Sequence, residues 1–201
     1  MDVQIVYDAS QSGLNKCLWA PLFYLPSVEA HIRTTVDSSW MGDLDLGEMF
    51  LNFLLSVTLS PFCGIDLSPY LPVARTWERW VRSLMGLKVS PYLAIKATHF
   101  AFEVVLGNRH NPSNVFHWTK VIMNLPGSPS YDPTQPRVWK YNPITRSLAA
   151  TVLAYVDDLR ALGSTQDECW QVMHKVATTL TALGIQVAGR KTWAPSTKPG
   201  P

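Results

Sequence analysis

Two adjacent aspartates, Asp157 and Asp158, interrupt an otherwise apolar stretch, LAYVDDLRALG (153–163). The residues before them read as a buried strand and those after as its returning partner, which puts the pair in a hairpin turn. There the two side chains leave the backbone in different directions, held by strand geometry yet within reach of water. A divalent cation makes that placement favourable. Mg²⁺ takes hard oxygen ligands and usually only one or two protein carboxylates, the rest coming from water and substrate phosphates. A further carboxylate, Asp45 in GDLDLGEMF, closes a strand-like alternation and precedes an apolar run. Two such strands side by side would build a two-metal site. With ions roughly 3.5–4 Å apart, one activates a hydroxyl oxygen and both offset the charge developing on a phosphoryl group in transfer. Asp43 shares the strand face of Asp45 and is either an alternative ligand or a solvated strand-end carboxylate. The histidines His99, His110, His117 and His174 lack metal-ligand spacing and are assigned no role.

The elements that must position these groups alternate between strands and helices. A short strand is expected at residues 3–7, followed by a polar turn through Gly13 and Asn15. Alternation predicts a strand over 40–46, and the run MFLNFLLSVTL (49–59) reads as a helix ending before Pro61. After Pro91 a second helix is expected, with Leu93, Ala97, Phe100, Ala101 and Val104 on one face and a stop at Gly107. The next segment is rich in Pro, Asn, Gly and Ser and reads as loop with one short strand near WTKVIM. A third helix carries its own start and stop signals. Thr165 and Glu168 fit a capping box, Gly184 closes it, and Cys169, Trp170, Met173, Val176, Ala177 and Leu180 form its apolar face. A last strand is expected around IQVAG, followed by Arg190, Lys191 and a Pro-rich tail. The pattern predicts an α+β fold, helices packed on one face of a small antiparallel sheet.

Composition sets the outer bounds. A chain of 201 residues with 47% hydrophobic content buries a sizeable core. A formal charge of +2 leaves any nucleic-acid contact to local clusters. One such cluster is the basic and aromatic stretch with Arg75, Arg79 and Arg82 beside Trp77 and Trp80, which suits phosphate contact and base stacking as well as core packing. Three cysteines without a CxxC pair argue against a zinc site or a disulfide framework, so a reducing intracellular compartment, cytoplasm or nucleus, is expected. The longest apolar run is too short to span a bilayer, and no signal peptide is read at the start.

YVDD at 155–158 matches the YxDD motif of reverse transcriptases, and DLGEMF at 45–50 resembles their first palm motif, an Asp with an aromatic five positions later. GLKVSP (86–91) resembles the Gly-x-Lys-x-Ser-Pro motif that backs template and incoming nucleotide. LGIQVAGRK (183–191) resembles the palm motif that follows, and VYDASQSGLN a fingers segment. The five occur in the family's order. The resemblance implies a polymerase palm with partial fingers: a fingers segment at 1–40, the Asp45 motif at 41–60, fingers and palm with the GLKVSP helix at 61–107, a loop-rich insertion at 108–147, palm with the YVDD hairpin at 148–193, and a tail at 194–201.

It also implies the residues. Asp45 and Asp157 are the principal ligands of two Mg²⁺ ions, for which Mn²⁺ is a possible substitute; Asp158 is the supporting carboxylate, and Leu46 joins the metal site. Phe50, Gly86 and Lys191 contact the nucleotide. Phe50 is either the gate that rejects a ribose 2′-hydroxyl or ordinary core, and Lys191 beside Arg190 either touches triphosphate or is a solvated charge. Tyr155, Lys88, Ser90 and Pro91 face nucleic acid. Partners implied are a primed RNA or DNA template, deoxynucleoside triphosphates, and the thumb and RNase H domains of a longer retroelement polyprotein. Two departures stand out: Met85 occupies the place of a common Gln that touches the nucleotide, and the stretch from Pro91 to Tyr155 is long. The reading is an RNA-directed DNA polymerase. The rival is a non-catalytic palm-fold fragment that binds nucleic acid or a partner chain. An RNA-dependent RNA polymerase is disfavoured by Phe50 and by the absence of Gly-Asp-Asp.

Overall fold

The computed structural model describes residues 7–25, 27, 29, 35, 39–73, 76–189 and 192–198. The chain divides into two compact units, Met1–Phe23 with Glu48–Thr98, and Tyr24–Gly47 with His99–Pro201.

The second unit is built on a four-stranded antiparallel sheet in the order β7-β8-β1-β9, where β1 is Trp40–Asp45, β7 Thr151–Tyr155, β8 Asp158–Gly163 and β9 Trp193–Ser196. Period-2 alternation sends Leu44, Leu159, Ala161, Val152 and Ala154 to one face, where they join an apolar cluster with helix α3, Gln166–Ala182. The approach is close. A Cβ on Gly42 would lie 2.2 Å from Met173 Sδ, and one on Gly163 would lie 2.7 Å from the Cys169 backbone nitrogen.

Helix α3 starts as the sequence requires. The Thr165 hydroxyl accepts the Glu168 N–H, while the Glu168 carboxylate takes the N–H and hydroxyl of Ser164, one residue earlier than a reciprocal box would have it. The helix ends in a Schellman arrangement: Ile185 N–H donates to Leu180 O at 2.9 Å, Gly184 N–H to Thr181 O at 2.9 Å, and Gly184 has φ +80°. Its buried stripe is Cys169, Val172, Met173, Val176 and Leu180. Trp170, expected inside, is 46% exposed, and Val172 takes its place.

Helix α2, Ser90–Leu106, forms where expected and stops at Gly107 with φ +58°. The face is not the expected one. Ala94, Ile95, Thr98, Ala101, Phe102 and Val105 are buried, whereas Leu93, Phe100 and Val104 are exposed. Beyond it, the segment expected as loop with one strand folds into a three-stranded antiparallel sheet of β4 (Lys120–Met123), β5 (Val138–Asn142) and β6 (Ser147–Leu148). The residues from 147 up to the aspartates do not form one continuous strand: β6 belongs to this sheet and the half-buried β7 to the other.

The first unit contains a short helix, α1 (Leu14–Cys17), a hairpin of β2 (Gly64–Asp66) and β3 (Trp77–Arg79), and a small core of Ala9, Cys63, Leu84 and Leu87 against which Tyr7, Leu14, Leu18, Leu55, Leu59 and Trp80 pack. The helix expected over 49–59 is absent. A single 3₁₀ turn, Met49–Asn52, follows Glu48 at φ +48°, and then the backbone is pulled extended: Ser83 N–H donates to Phe53 O at 2.8 Å and Leu55 N–H to Val81 O at 3.0 Å. Cross-strand bonds replace the helical ladder, and the β-branched Val57 and Thr58 oppose a helix in the same stretch. The strand expected at IQVAG reduces to an isolated bridge, Val187 to Leu46, and the next true strand is β9, in the stretch read as a tail. Most of the strand expected at 3–7 lies outside the described residues.

Candidate functional site

Register brings the acidic residues together in pairs. Strands β1 and β8 are antiparallel with Asp45 opposite Asp158 and Asp43 opposite Arg160. Directly opposed residues share a face, so these four project from the side of the sheet away from α3. Like charges directly opposite cost about 0.2–1 kcal/mol, so the Asp45 and Asp158 pairing is not chosen for sheet stability. Asp45 is 7% exposed, whereas Asp158 is open to solvent and Asp157 half-buried.

The turn joining β7 to β8 is as short as a hairpin allows. Tyr155 pairs with Asp158, leaving only Val156 and Asp157 between them. Val156 sits at φ +56°, a left-handed conformation that a β-branched residue enters at a cost of about 1–3 kcal/mol. Two-residue turns prefer Asn-Gly or Asp-Gly, so Val-Asp is a poor turn sequence. The neighbouring strand end steadies it: Leu46 N–H donates to Asp157 O at 2.9 Å, Ala188 N–H to Asp45 O at 2.8 Å, and Gly47 N–H to Gln186 O at 2.9 Å. Leu46 is 2% exposed and Tyr155 41%. Among the described residues no three His, Cys, Asp or Glu side chains converge as a metal would require. The donor chemistry nevertheless suits Mg²⁺, because two facing carboxylates are what that ion takes from a protein when phosphates complete its shell.

Asp43 is held by Arg160, whose Nε and Nη2 donate to the two carboxylate oxygens at 2.7 and 2.9 Å. That bidentate grip raises the Arg160 pKa above its ordinary value, partly opposed by burial and assisted by the charges of Asp43 and Asp158. On the helix side of the sheet, burial and then the nearby Glu168 and Asp43 charges push the Cys169 thiol up to about 11, which leaves it protonated and inert.

Phe50, Gly86, Lys88, Ser90 and Pro91 lie in the first unit. Gly86 has φ +105°, and a Cβ there would lie 1.9 Å from Tyr7 O. The GLKVSP turn is clamped by Asn15, whose Nδ2 donates to Gly86 O at 2.9 Å and whose Oδ1 accepts the Lys88 N–H at 2.8 Å. Lys88 Nζ reaches Leu18 O at 3.4 Å. Ser90 is 1% exposed, and its hydroxyl accepts that of Ser83 at 2.7 Å, so this side chain is engaged inside the chain; Pro91 follows, half-buried, in the first turn of α2. Phe50 lies half-buried in the 3₁₀ turn and belongs to neither apolar cluster of the described residues, whereas its neighbour Met49 is 5% exposed. Trp77 is 65% exposed beside the exposed Arg79 and Arg82; Arg75, Arg190 and Lys191 lie outside the described residues.

Two residues with clear structural parts were not singled out in the sequence. Arg160 could have been found by register, two beyond Asp158 as Asp43 is two before Asp45. Asn15 was seen only as part of a motif, since its partners lie 71 and 73 residues away. Replacing Asn15 with Ala strips the Lys88 N–H and the Gly86 carbonyl of their partner. We expect a loss of about 1–2 kcal/mol in a urea titration. An unchanged midpoint would show the clamp to be dispensable.

No known family profile matches the chain, and no curated protein matches it by sequence. Its fold is similar to that of the foamy viral protease-reverse transcriptase, solved in complex with double-stranded DNA, at a TM-score of 0.61 and 14% identity. The match covers 95% of this chain and 25% of that one, so the chain spans about a quarter of the length of its structural relative. The likeness is one of fold: a mixed α/β arrangement with antiparallel sheets. No helix among the described residues is long and apolar enough to cross a membrane.

Proposed function

We propose that the chain is the palm and partial fingers of an RNA-directed DNA polymerase of the YxDD type, joining deoxynucleotides to a primer 3′ end. The observation that carries this reading is the pairing of Asp45 with Asp158 at the ends of two adjoining strands, beside a strained two-residue turn bearing Asp157. Strain and opposed like charges at one spot are costs that a purely structural hairpin has no reason to keep. The likeness to a reverse transcriptase fold supports it further.

Asp45 and Asp157 would hold two Mg²⁺ ions, with Asp158 supporting and Leu46 contributing its backbone carbonyl. The bound ions would lower the pKa of the primer hydroxyl and neutralise charge on the α-phosphate. The chain's own contribution is placement. In the second unit the hairpin holds the carboxylates, and Tyr155 would meet nucleic acid; in the first unit Asn15 holds the GLKVSP turn and Ser90 anchors the helix start, and Gly86, Lys88 and Pro91 would meet nucleotide or template. Lys191 would face the triphosphate. The primer 3′-oxygen then attacks the α-phosphorus and pyrophosphate leaves. Thumb and RNase H activities would come from further domains of a retroelement polyprotein inside the cell. One observation favours the rival, a nucleic-acid-binding palm that does not polymerise: among the described residues no three acidic side chains converge.

Primer extension on an RNA template with Mg²⁺, by this chain and by one lengthened at both ends, separates the two. Extension by either supports the polymerase, and tight binding of primed template without extension by both supports the rival. Sugar choice tests Phe50 in whichever chain is active. Phe50→Val should reduce discrimination against ribonucleotides at least about tenfold, a larger effect than a single methylene gives. Because Phe50 lies outside both apolar clusters, the melting temperature should barely move. Unchanged selectivity would remove the gate role.

A further inference from the structure

The carboxylate face of the sheet carries a third aspartate beside the opposed pair Asp45 and Asp158. Asp43 and Asp45 are two apart on β1 and share that face with Asp158 on β8. Nothing in strand geometry distinguishes Asp43 from Asp45 as a ligand, since both project the same way about 7 Å apart along the strand. What distinguishes them is Arg160. It stands opposite Asp43, and its guanidinium spans both oxygens of that carboxylate at 2.7 and 2.9 Å, using the planar fork that matches a carboxylate edge. With both oxygens engaged, Asp43 has little capacity left for a cation.

Resting on the metal-site reading above, we infer that Arg160 is a positioning residue that sequesters Asp43 and so decides which carboxylates of this face a divalent cation meets. The pair is partly open, with side-chain exposure of 40% for Arg160 and 26% for Asp43, so its loss leaves no charge sealed in the core and the fold should survive. Arg160 also lies two residues from Asp158 on the same face, so removing it deletes a nearby positive charge as well. The test must separate that general effect from the release of Asp43.

The probe is Mn²⁺, titrated into the metal-free chain and followed by the loss of its free electron-paramagnetic-resonance signal, with circular dichroism to confirm folding. Arg160→Leu should bind Mn²⁺ about tenfold more tightly than the parent, or take up an additional ion. Arg160→Lys, which pairs but cannot fork, should fall between them. The double variant Arg160→Leu with Asp43→Asn should return to the parent's affinity and stoichiometry. A folded Arg160→Leu chain with unchanged binding overturns the inference, and so does tightening that persists in the double variant. Asp45→Asn serves as the reference for the underlying reading: if the parent binds Mn²⁺ and Asp45→Asn binds it equally, the metal site itself is misassigned. If the parent binds and only Asp45→Asn differs from it, the site stands and the role of Arg160 falls.

Discussion

Asp157→Asn is expected to abolish primer extension, by at least about a thousandfold, while the chain melts where its parent does. The size follows from what the carboxylate supplies. Loss of a charged metal ligand removes several kcal/mol of transition-state stabilisation, and roughly 4 kcal/mol corresponds to three powers of ten. The fold should be indifferent because the turn's hydrogen bond to the neighbouring strand uses the backbone carbonyl of Asp157, which accepts from Leu46 N–H at 2.9 Å and is the same in an asparagine. Asn is also well tolerated in tight turns. The measurement pairs single-turnover extension with a thermal melt, in whichever chain extends primers. Extension within a few-fold of the parent would show that Asp157 is not a ligand. A large drop in melting temperature would mean that lost activity reports lost fold.

How far the sequence exposed this architecture depends on which force decided each element. The β7–β8 hairpin and α3 were legible because local signals and tertiary packing agree there: alternation matches the face that packs on α3, Thr165 caps, and Gly184 terminates. Helix α2 was legible in extent only. Its stretch is apolar almost all round, so two stripes satisfy the helical period, and only the packed structure selects Ala94, Ile95, Ala101, Phe102 and Val105 over Leu93, Phe100 and Val104. The run 49–59 failed because distant backbone groups at 81–83 outbid local helix bonds. Strand β9 hid in a Pro-rich stretch for the same reason, since pairing with β1 is a long-range event; at Pro195 the missing donor is tolerated because β9 is an edge strand.

The candidate site divides along similar lines. Residue types announced Asp45, Asp157 and Asp158, but the register that sets Asp45 against Asp158 and Asp43 against Arg160 is a property of pairing across more than a hundred residues. Gly86 illustrates the converse. The resemblance assigns it to the nucleotide, while the structure supplies a reason for glycine that needs no nucleotide at all.

Gly86→Ala should therefore cost about 3 kcal/mol of stability, a fall of roughly 6–12 °C in melting temperature for a chain of this size. Two terms contribute. At φ +105° a side chain is strained, and the added Cβ would lie 1.9 Å from Tyr7 O and 3.0 Å from Tyr7 C. Backbone cannot yield as a flexible side chain would, so the segment at Tyr7 must shift, and with it the bond from Tyr7 N–H to Met85 O at 3.2 Å. Gly127 isolates the first term. It too has positive φ, +89°, but a Cβ there meets nothing within 4 Å. Gly127→Ala should cost only about 1–2 kcal/mol, the strain of a left-handed residue. Denaturant titrations of the two variants side by side read the difference, which is the close approach to Tyr7. Equal losses would show that the approach is relieved without cost. A stable Gly86→Ala chain with a raised KM for deoxynucleotide would instead return this glycine to the nucleotide.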